Sequence, residues 1–321
     1  MRTAEQNDLA AAVRALVGKH ADDPALWERL CEQIGVSALV IPEDFGGAGG
    51  TLADAAAALE EVGYSLASTP QLASLIASEA LLGSESPDAE LLSRIAAGEV
   101  ATILGATAGS DPGDFTVTDG RISGTATNVL HGDAAAIVLV ATPDGLYEVS
   151  PGVITAQQAP AMDPNLRLAT VQLDDASGRL LASDNSRDHS RTRTALLVGV
   201  SALAVGCAQR GLDMTVAYSK ERVQFGRQIG SFQALKHRMA DMLVLVEMAR
   251  SAAWSAAAGE LDPVIAAAYC TEAAQKVAAE TIQLHGGIAI TWEHDAHLVF
   301  KRAHALSQLA GQPHVLRASQ I

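Results

Sequence analysis

The first hundred residues have the apolar spacing of amphipathic helices. In DLAAAVRALVGKH (8–20) and LADAAAALEEVGYSL (52–66), apolar side chains recur every three or four positions, which puts them on one face of a helix. Between such segments, the glycine-rich stretch EDFGGAGGT (43–51) is not followed by the lysine of a phosphate-binding loop. The pattern therefore predicts a plain turn there, within a helical first domain over residues 1–100.

From about residue 101 the pattern changes to short alternating runs. FTVTDGRISGTA (115–126) has one such run on each side of Asp119-Gly120, which is a strong signal for a β-hairpin. AAAIVLVAT (134–142) and ATVQLDD (169–175) continue as short apolar runs bounded by Gly, Pro or Asp. The sequence therefore predicts a β domain over residues 101–185.

Helical spacing returns after the polar stretch ASDNSRDHSRTR (182–193). One set of apolar residues alternates spacings of three and four, as in the seam of a helical bundle. Its members are Phe232, Leu235, Met239, Met242, Val246 and Ala249. The next helix is predicted to begin at Asp262-Pro263 and to end at Gly286-Gly287. The predicted fold is thus α+β and multidomain, with an N-terminal helical domain, a central β-barrel-like domain and a C-terminal four-helix bundle over residues 186–321.

Composition and charge narrow the classes of partner. The 321 residues carry a formal net charge of −15, so a basic surface for nucleic acid or anionic membrane is not predicted. The three cysteines are isolated and fit a reducing compartment. Glu5 and Asp8 argue against a signal peptide, and the longest apolar run, residues 195–207, is too short to span a bilayer. A cytoplasmic protein with no membrane contact is expected.

Three stretches, in the right order, resemble the flavin-dependent acyl-CoA dehydrogenase family. RVQFGRQIGSFQALKHRMADM (222–242) and IQLHGGIAITWEHDAHLVFKRA (282–303) are similar to its two C-terminal signatures. ERLCEQIGVSALVIPEDFGGAGGTLADAAAALEEVGYSL (28–66) is similar to its N-terminal helical segment. The resemblance covers essentially the whole chain. It implies the same order of helices, β domain and bundle, with FAD as cofactor, an acyl-CoA substrate and an electron-transfer flavoprotein as acceptor.

Eight positions match residues that, in the family, contact the adenosine-pyrophosphate half of a neighbouring subunit's FAD. They are Arg222, Gln224, Phe225 and Gln233 in the first signature, and Gln283, Leu284, Gly286 and Gly287 in the second. These residue types suit the task. A guanidinium group offers a planar fork to a pyrophosphate, side-chain amides donate hydrogen bonds, and glycines let the backbone approach closely. Without the resemblance, Arg222 and Arg227 would be interpreted as surface charges near a helix start.

The catalytic base expected of the family is missing. Dehydrogenation of an acyl-CoA needs a carboxylate to take the α-proton while a β-hydride passes to the flavin. The resemblance places that carboxylate at Ala310 or, in a minority of members, near Leu196, and no Asp or Glu follows Asp295. No catalytic residue is therefore predicted in this chain.

The residues that hold the flavin ring in the family are also altered. LGATAGSD (104–111) keeps Ala108-Gly109-Ser110-Asp111 but has Leu104-Gly105 where the family has Thr-Glu. Asn128-Val129-Leu130 stands where the family has Trp-Ile-Thr. Residues for the chain's own flavin ring are lost, whereas residues that reach a neighbour's cofactor remain. This pattern resembles the degenerate subunit of bacterial heteromeric acyl-CoA dehydrogenases, including those that act on steroid side chains.

The sequence therefore predicts the subunit without a catalytic base in an α2β2 heterotetramer, active only with a sister acyl-CoA dehydrogenase subunit. Two alternatives stay open: a self-sufficient flavoenzyme that uses Glu293 or Asp295 as base, and a non-catalytic scaffold of the same fold. Glu293, His294 and His297 match neither the HExxH spacing nor a zinc pattern that contains Cys. No metal site is predicted.

Overall fold

Five helices precede the first strand in the computed structural model, which describes residues 2–21, 23–107, 110–184 and 188–320. They are α1 Ala4–His20, α2 Leu26–Ile34, α3 Leu52–Ser65, α4 Gln71–Leu82 and α5 Ala89–Ala96. Thr51 is the N-cap residue of α3. It forms a capping box, in which the backbone N–H of Thr51 donates to the Asp54 carboxylate at 2.7 Å. The glycine-rich stretch forms a short 3₁₀ helix, Glu43–Phe45, followed by turns.

Seven strands form one sheet in the described part of the chain. They are β1 Ala101–Leu104, β2 Phe115–Thr118, β3 Arg121–Leu130, β4 Ile137–Thr142, β5 Gly145–Val149, β6 Ile154–Gln158 and β7 Leu168–Ser183. Their order is β1-β4-β5-β7-β3-β2, and β6 pairs with β7. The first half of β7 pairs with β3 and β6, while its second half pairs with β5. The predicted hairpin around Asp119-Gly120 is confirmed as β2–β3.

The C-terminal part is a helical bundle that also carries one small hairpin. Its elements are α6 His189–Glu221, β8 Val223–Gln224, β9 Arg227–Gln228, α7 Gln233–Ala257, α8 Pro263–His285, α9 Ala296–Ala310 and α10 Pro313–Ala318. Of the predicted seam on α7, Met242, Val246 and Ala249 are buried, while its first three members are only half-buried. The order of helices, sheet and bundle confirms the predicted fold class, and the domain boundaries at 100 and 185 stay predictions.

Helix α6 is the centre of the bundle. Every residue from 195 to 208 is buried, and α6 packs against α3, α4, α7, α8 and α9. Among the described residues it is the one helix long and apolar enough to cross a membrane, but 89% of that apolar window is buried inside the fold. The apolar run at 195–207 is therefore part of a core helix.

Two glycines allow α3 and α6 to cross at close range. A Cβ atom on Gly206 would lie 1.9 Å from the backbone oxygen of Glu60, and one on Gly63 would lie 2.3 Å from that of Leu203. Neither obstacle is a side chain that could move aside. The absence of a side chain at both positions therefore lets α3 of the N-terminal part pack closely against α6 of the helical bundle.

One buried ion pair joins all three parts of the chain. Arg302 of α9 donates to Asp163, which precedes β7, and both side chains are 2% exposed. The same guanidinium group donates to the carbonyl oxygens of Leu66 at 3.1 Å and Ala67 at 3.4 Å, just after α3. A buried charge is tolerated when it has such partners. The contact therefore fixes α9 against both the sheet and the N-terminal helices.

Substitution of Gly206 by Ala should destabilise the protein. The added methyl group must displace the backbone of α3, and overpacking of this kind costs about 1–3 kcal/mol. Urea unfolding followed by circular dichroism measures the change. Gly18→Ala is the matched control, because Gly18 is helical and has open space around it. The free energy of unfolding of the Gly18→Ala variant should rise by up to about 1 kcal/mol, because alanine favours the helix more than glycine does. Equal effects of the two substitutions would contradict the close crossing of α3 and α6.

His131 should make the protein sensitive to acid. It is 7% exposed, and burial, with Arg167 acting in the same direction, lowers its pKa to about 4 from 6.5. Between these two values the unfolded chain binds a proton that the folded chain does not, so the unfolding free energy falls as the pH drops from 6.5 to 4, by ~3 kcal/mol.

The variant His131→Asn tests this, because Asn tolerates the φ of 52° found there. Urea unfolding at several pH values should show a shallower loss of stability between pH 6.5 and 4 for the variant than for the parent protein. Parallel curves would show that another group is responsible.

Candidate functional site

A tight hairpin follows α6 and presents an aromatic ring to solvent. Val223 pairs with Gln228 and Gln224 with Arg227, so Phe225 and Gly226 form a two-residue turn. Their φ angles are 52° and 76°, as in a type I′ turn. The left-handed region is unfavourable for a phenylalanine, yet its side chain is 93% exposed. Strain combined with exposure of an apolar ring marks this turn as a candidate binding element.

The hairpin forms one wall of a cleft of about 570 Å³, here called the hairpin cleft. Seven of the eight predicted cofactor residues line it: Arg222, Gln224, Phe225, Gln283, Leu284, Gly286 and Gly287. The eighth, Gln233, is exposed at the start of α7, next to the lining residue Ala234, and does not line the cleft itself. The two sequence signatures, about 60 residues apart, therefore meet in space.

The charges in the hairpin cleft leave one cation available. Arg238 is paired with Glu280 at 2.6 Å, whereas Arg222 has no ion-pair partner in the part of the chain that the structure describes. Arg227 stacks over the ring of Phe232, 4.0 Å from its centroid. A Cβ atom added to Gly286 or Gly287 would meet nothing within 4 Å. The cleft therefore combines an unpaired guanidinium group, aromatic surface and open space beside the backbone, which suits a phosphorylated aromatic ligand.

His285 is a residue of this cleft that the sequence reasoning missed. It is 4% exposed, and its ring stacks on Tyr218 at 4.5 Å between centroids. Its Nδ1 lies 2.7 Å from the carbonyl oxygen of Thr281. Because a carbonyl only accepts, Nδ1 carries the proton and Nε2 is left as an acceptor. Burial lowers the pKa of His285, so the neutral ring is favoured.

The Nε2 atom of His285 has no hydrogen-bond partner among the described residues. A buried polar atom without a partner is costly, and the imidazole borders a cleft open to a ligand. A sequence signal for this residue did exist: His285 closes α8 directly before the Gly-Gly pair and lies one helical turn after Thr281.

A second cleft, of about 530 Å³, lies at the other end of α6 and is here called the α6 cleft. Leu196, Ala310 and Gly311 all line it. The two alternative positions for a catalytic base, which are more than 110 residues apart in sequence, are thus on the same cleft. Both carry aliphatic side chains.

One carboxylate does line the α6 cleft, that of Asp111. The Asp111 carboxylate accepts a hydrogen bond from the backbone N–H of Asp114. The backbone N–H of Asp111 in turn donates to the Asp114 carboxylate at 2.8 Å. These bonds form the cap of the short helix Pro112–Asp114. The neighbouring Ala108 and Gly109, which retain the family pattern in sequence, lie outside the described residues.

The backbone at two of the altered ring-binding positions does not fit the family's side chains. Gly105 has a φ of 76°, and a Cβ atom there would lie 2.5 Å from the backbone oxygen of Ala141. A glutamate at this position would therefore need the backbone to move. Asn128 has a φ of 57° and is exposed, while Val129 and Leu130 are buried.

Glu293 and Asp295, the acids considered for a relocated base, lie elsewhere. Both are exposed, and neither lines the α6 cleft. Asp295 is 3.8 Å from Arg210. Within the described ranges, no group of three or more His, Cys, Asp or Glu side chains could hold a metal ion.

The chain is similar to known proteins over most of its length. Residues 2–99 match the family model for the N-terminal domain of acyl-CoA dehydrogenases, and residues 192–319 match that for the C-terminal domain. The chain is 43% identical to acyl-CoA dehydrogenase IpdE2 of Mycolicibacterium smegmatis. That alignment covers 96% of this chain and 95% of the relative.

Two similar solved structures each carry the names of two proteins. The ChsE4-ChsE5 complex from Mycobacterium tuberculosis has a chain with a TM-score of 0.86 and 25% identity, over 100% of this chain and 97% of that one. A variant of the Tcur3481-Tcur3483 steroid ACAD gives a TM-score of 0.86 and 27% identity, over 98% and 96% of the two chains.

The strain at the hairpin tip can be measured by two substitutions of Phe225. Phe225→Ala removes the ring and keeps an unfavourable left-handed residue, whereas Phe225→Asn removes the ring and relieves most of the cost. The Asn variant should be more stable than the Ala variant by up to about 1 kcal/mol, as measured by urea unfolding. If the Asn variant were no more stable, the left-handed conformation would not be a source of strain.

Proposed function

Because the chain belongs to the acyl-CoA dehydrogenase family, we propose that it is the subunit without a catalytic base in a heteromeric acyl-CoA dehydrogenase. FAD is the cofactor of this family of oxidoreductases, and when bound it supplies the acceptor for the substrate hydride. In the proposed assembly, this chain completes the FAD site of a sister subunit and contributes no proton acceptor. The sister subunit holds the flavin ring and carries the base.

The observation that carries this proposal is the contrast between the two clefts. The hairpin cleft keeps residues suited to a nucleotide, and the cation of Arg222 is unpaired within the described chain. The α6 cleft has Leu196 and Ala310 where a base would be needed. The chain therefore has residues that could bind the nucleotide half of FAD, but it has no carboxylate at either position expected for the catalytic base.

Distance supports a cofactor shared between chains. Leu196 and Tyr218 lie 22 residues apart on the same helix, which corresponds to about 33 Å along its axis at 1.5 Å per residue. A dinucleotide held by one chain alone would have to run along the helix from one cleft to the other. A neighbour's cofactor that reaches into the hairpin cleft avoids this.

The residues of the hairpin cleft fit the nucleotide half of FAD. Arg222 would form charge-assisted hydrogen bonds with the pyrophosphate. Gly286 and Gly287 leave the backbone accessible, and the aromatic rings of Phe225 and Phe232 offer apolar contact to the adenosine. His285 Nε2 would accept a hydrogen bond from an amino or hydroxyl group of the ligand. Gln233, which lies beyond the lining, would reach FAD only at the edge of the cleft.

The substrate that we propose is a steroid whose side chain carries the CoA thioester. This rests on the similarity to the Tcur3481-Tcur3483 steroid ACAD. We propose an electron-transfer flavoprotein as the electron acceptor, on the family resemblance alone.

A second function is favoured by one observation, the carboxylate of Asp111 in the α6 cleft. In a self-sufficient dehydrogenase, this group would take the α-proton. Its engagement in a helix cap argues against that role, because a base must be free to approach the substrate.

The proposal predicts a flavin content of one FAD per two chains in the co-expressed complex of this chain with its sister subunit. Arg222→Met should weaken FAD binding by roughly tenfold to a hundredfold, because a charge-assisted hydrogen bond is lost. Flavin absorbance after gel filtration and titration of the apo-complex measure both quantities. Arg121→Met is the control, because Arg121 is an exposed arginine in the β2–β3 hairpin.

Turnover separates the two candidate functions. Asp111→Asn should leave turnover of the complex unchanged if the base lies on the sister subunit. A yellow, active assembly of this chain alone, inactivated by Asp111→Asn, would reject the proposal and establish the second function.

A further inference from the structure

A small apolar pocket of about 350 Å³ lies beside the hairpin cleft and is here called the tryptophan pocket. Its walls include Met162, Ile290, Trp292, His297, Phe300 and Lys301. Trp292 is 78% exposed, Ile290 75% and Met162 53%. Single exposed apolar residues are common on protein surfaces, but three of them around one pocket mark a surface that another molecule covers.

Trp292 is held in place before any partner arrives. The ring of His297 meets it edge-on at 4.5 Å, and the Lys301 ammonium group lies 4.5 Å from its centroid. A side chain that is already ordered loses less conformational entropy on binding. Tryptophan is also the residue most typical of binding hot spots. The pocket therefore has the properties of a preformed anchor.

Charge indicates what should lie next to the anchor. Lys301 forms no ion pair with any carboxylate of the described ranges, so its ammonium group can take one from another molecule. An apolar side chain flanked by a carboxylate would satisfy both the pocket and Lys301. A cation–π contact already stabilises Lys301 in the position to receive it.

The tryptophan pocket is continuous with the hairpin cleft. The short helix Gly286–Ile290 begins with glycines of the cleft and ends with Ile290 in the pocket. On α8, Ile282 lines the tryptophan pocket, and the next residue, Gln283, lines the hairpin cleft. A macromolecule that closes over a nucleotide in the hairpin cleft would therefore extend over the pocket.

We infer that the tryptophan pocket is the docking site of the sister subunit, with an apolar side chain of that subunit in the pocket and a carboxylate beside Lys301. The inference rests on the proposed function, because its occupant is the chain that shares the cofactor. A second copy of this chain is a poorer occupant. It would bring another α6 cleft with Leu196 and Ala310, and so would leave the site without a base.

The accessibility of Trp292 tests the inference directly. This chain, labelled with 5-fluorotryptophan, is mixed with the unlabelled sister subunit and excess FAD, and a soluble gadolinium chelate is added. Its three tryptophans give three fluorine signals, and the variant Trp292→Phe identifies one of them. Trp27 and Trp254 are internal controls, because both are less exposed and hydrogen-bonded inside the fold.

The Trp292 signal should be strongly broadened in the free chain and protected in the complex, while the other two signals change little. In addition, Trp292→Ala should weaken binding of the sister subunit at least tenfold. Val153→Ala, at an exposed apolar residue before β6, should not.

Each failure has a distinct signature. A complex with one FAD per two chains, in which Trp292 stays fully accessible, would overturn the docking site and leave the proposed function intact. An assembly of this chain alone that protects Trp292 would make the occupant a second copy and overturn the inference. If the sister subunit did not bind at all, the proposed function would fail and the docking site with it.

Discussion

The buried ion pair between Arg302 and Asp163 is the interaction on which the arrangement of both clefts depends. It binds α9 to the segment before β7 and, through two carbonyl oxygens, to the end of α3. Buried ion pairs add little net stability compared with apolar packing, but loss of one partner leaves a costly unpaired charge. The pair therefore specifies position. Because α9 runs from the region of Trp292 to Ala310, fixing its middle places both of its ends.

Helix α6 turns that placement into two separate sites. Its first turns border the α6 cleft, and its last turn carries Tyr218 to the hairpin cleft. The close crossing at Gly63 and Gly206 leaves α6 little freedom to shift against α3. The two clefts are consequently held at a fixed separation on a rigid element. This geometry suits a protein that offers one half of a binding site to a neighbour.

The two clefts differ in which of their polar groups lack a partner. Around the hairpin cleft, the Arg222 cation has no ion-pair partner and the buried Nε2 of His285 has no hydrogen-bond partner within the described chain, and the ring of Phe225 is exposed. In the α6 cleft, the single lining carboxylate is used by a local cap. A buried polar atom without a partner, such as Nε2 of His285, is costly in a folded protein. A ligand or subunit that donates a hydrogen bond to this atom would remove that cost.

Local pattern was sufficient for much of the fold. Apolar periodicity predicted the helices, the Asp119-Gly120 pair predicted the β2–β3 hairpin, and two signatures identified seven residues that share a cleft. The first two predictions depend on residues close together in sequence, whereas the seven cleft residues were identified by the family resemblance. The apolar run at 195–207 marks only the middle of α6, because the polar first turns of this helix carry no apolar signal of their own.

How residues far apart in sequence meet depends on the packing of the whole fold. Contacts across the fold bring Leu196 and Ala310 to one cleft and pair Arg302 with Asp163. Such contacts also leave Gln233 outside the lining of the hairpin cleft. The orphaned Nε2 of His285 likewise appears only once its neighbours are placed. The order of the elements and the residue types available to each site follow from the amino-acid sequence alone. Which of them come together was decided by packing around α6, since sequence spacing carries no information about contacts between residues a hundred positions apart.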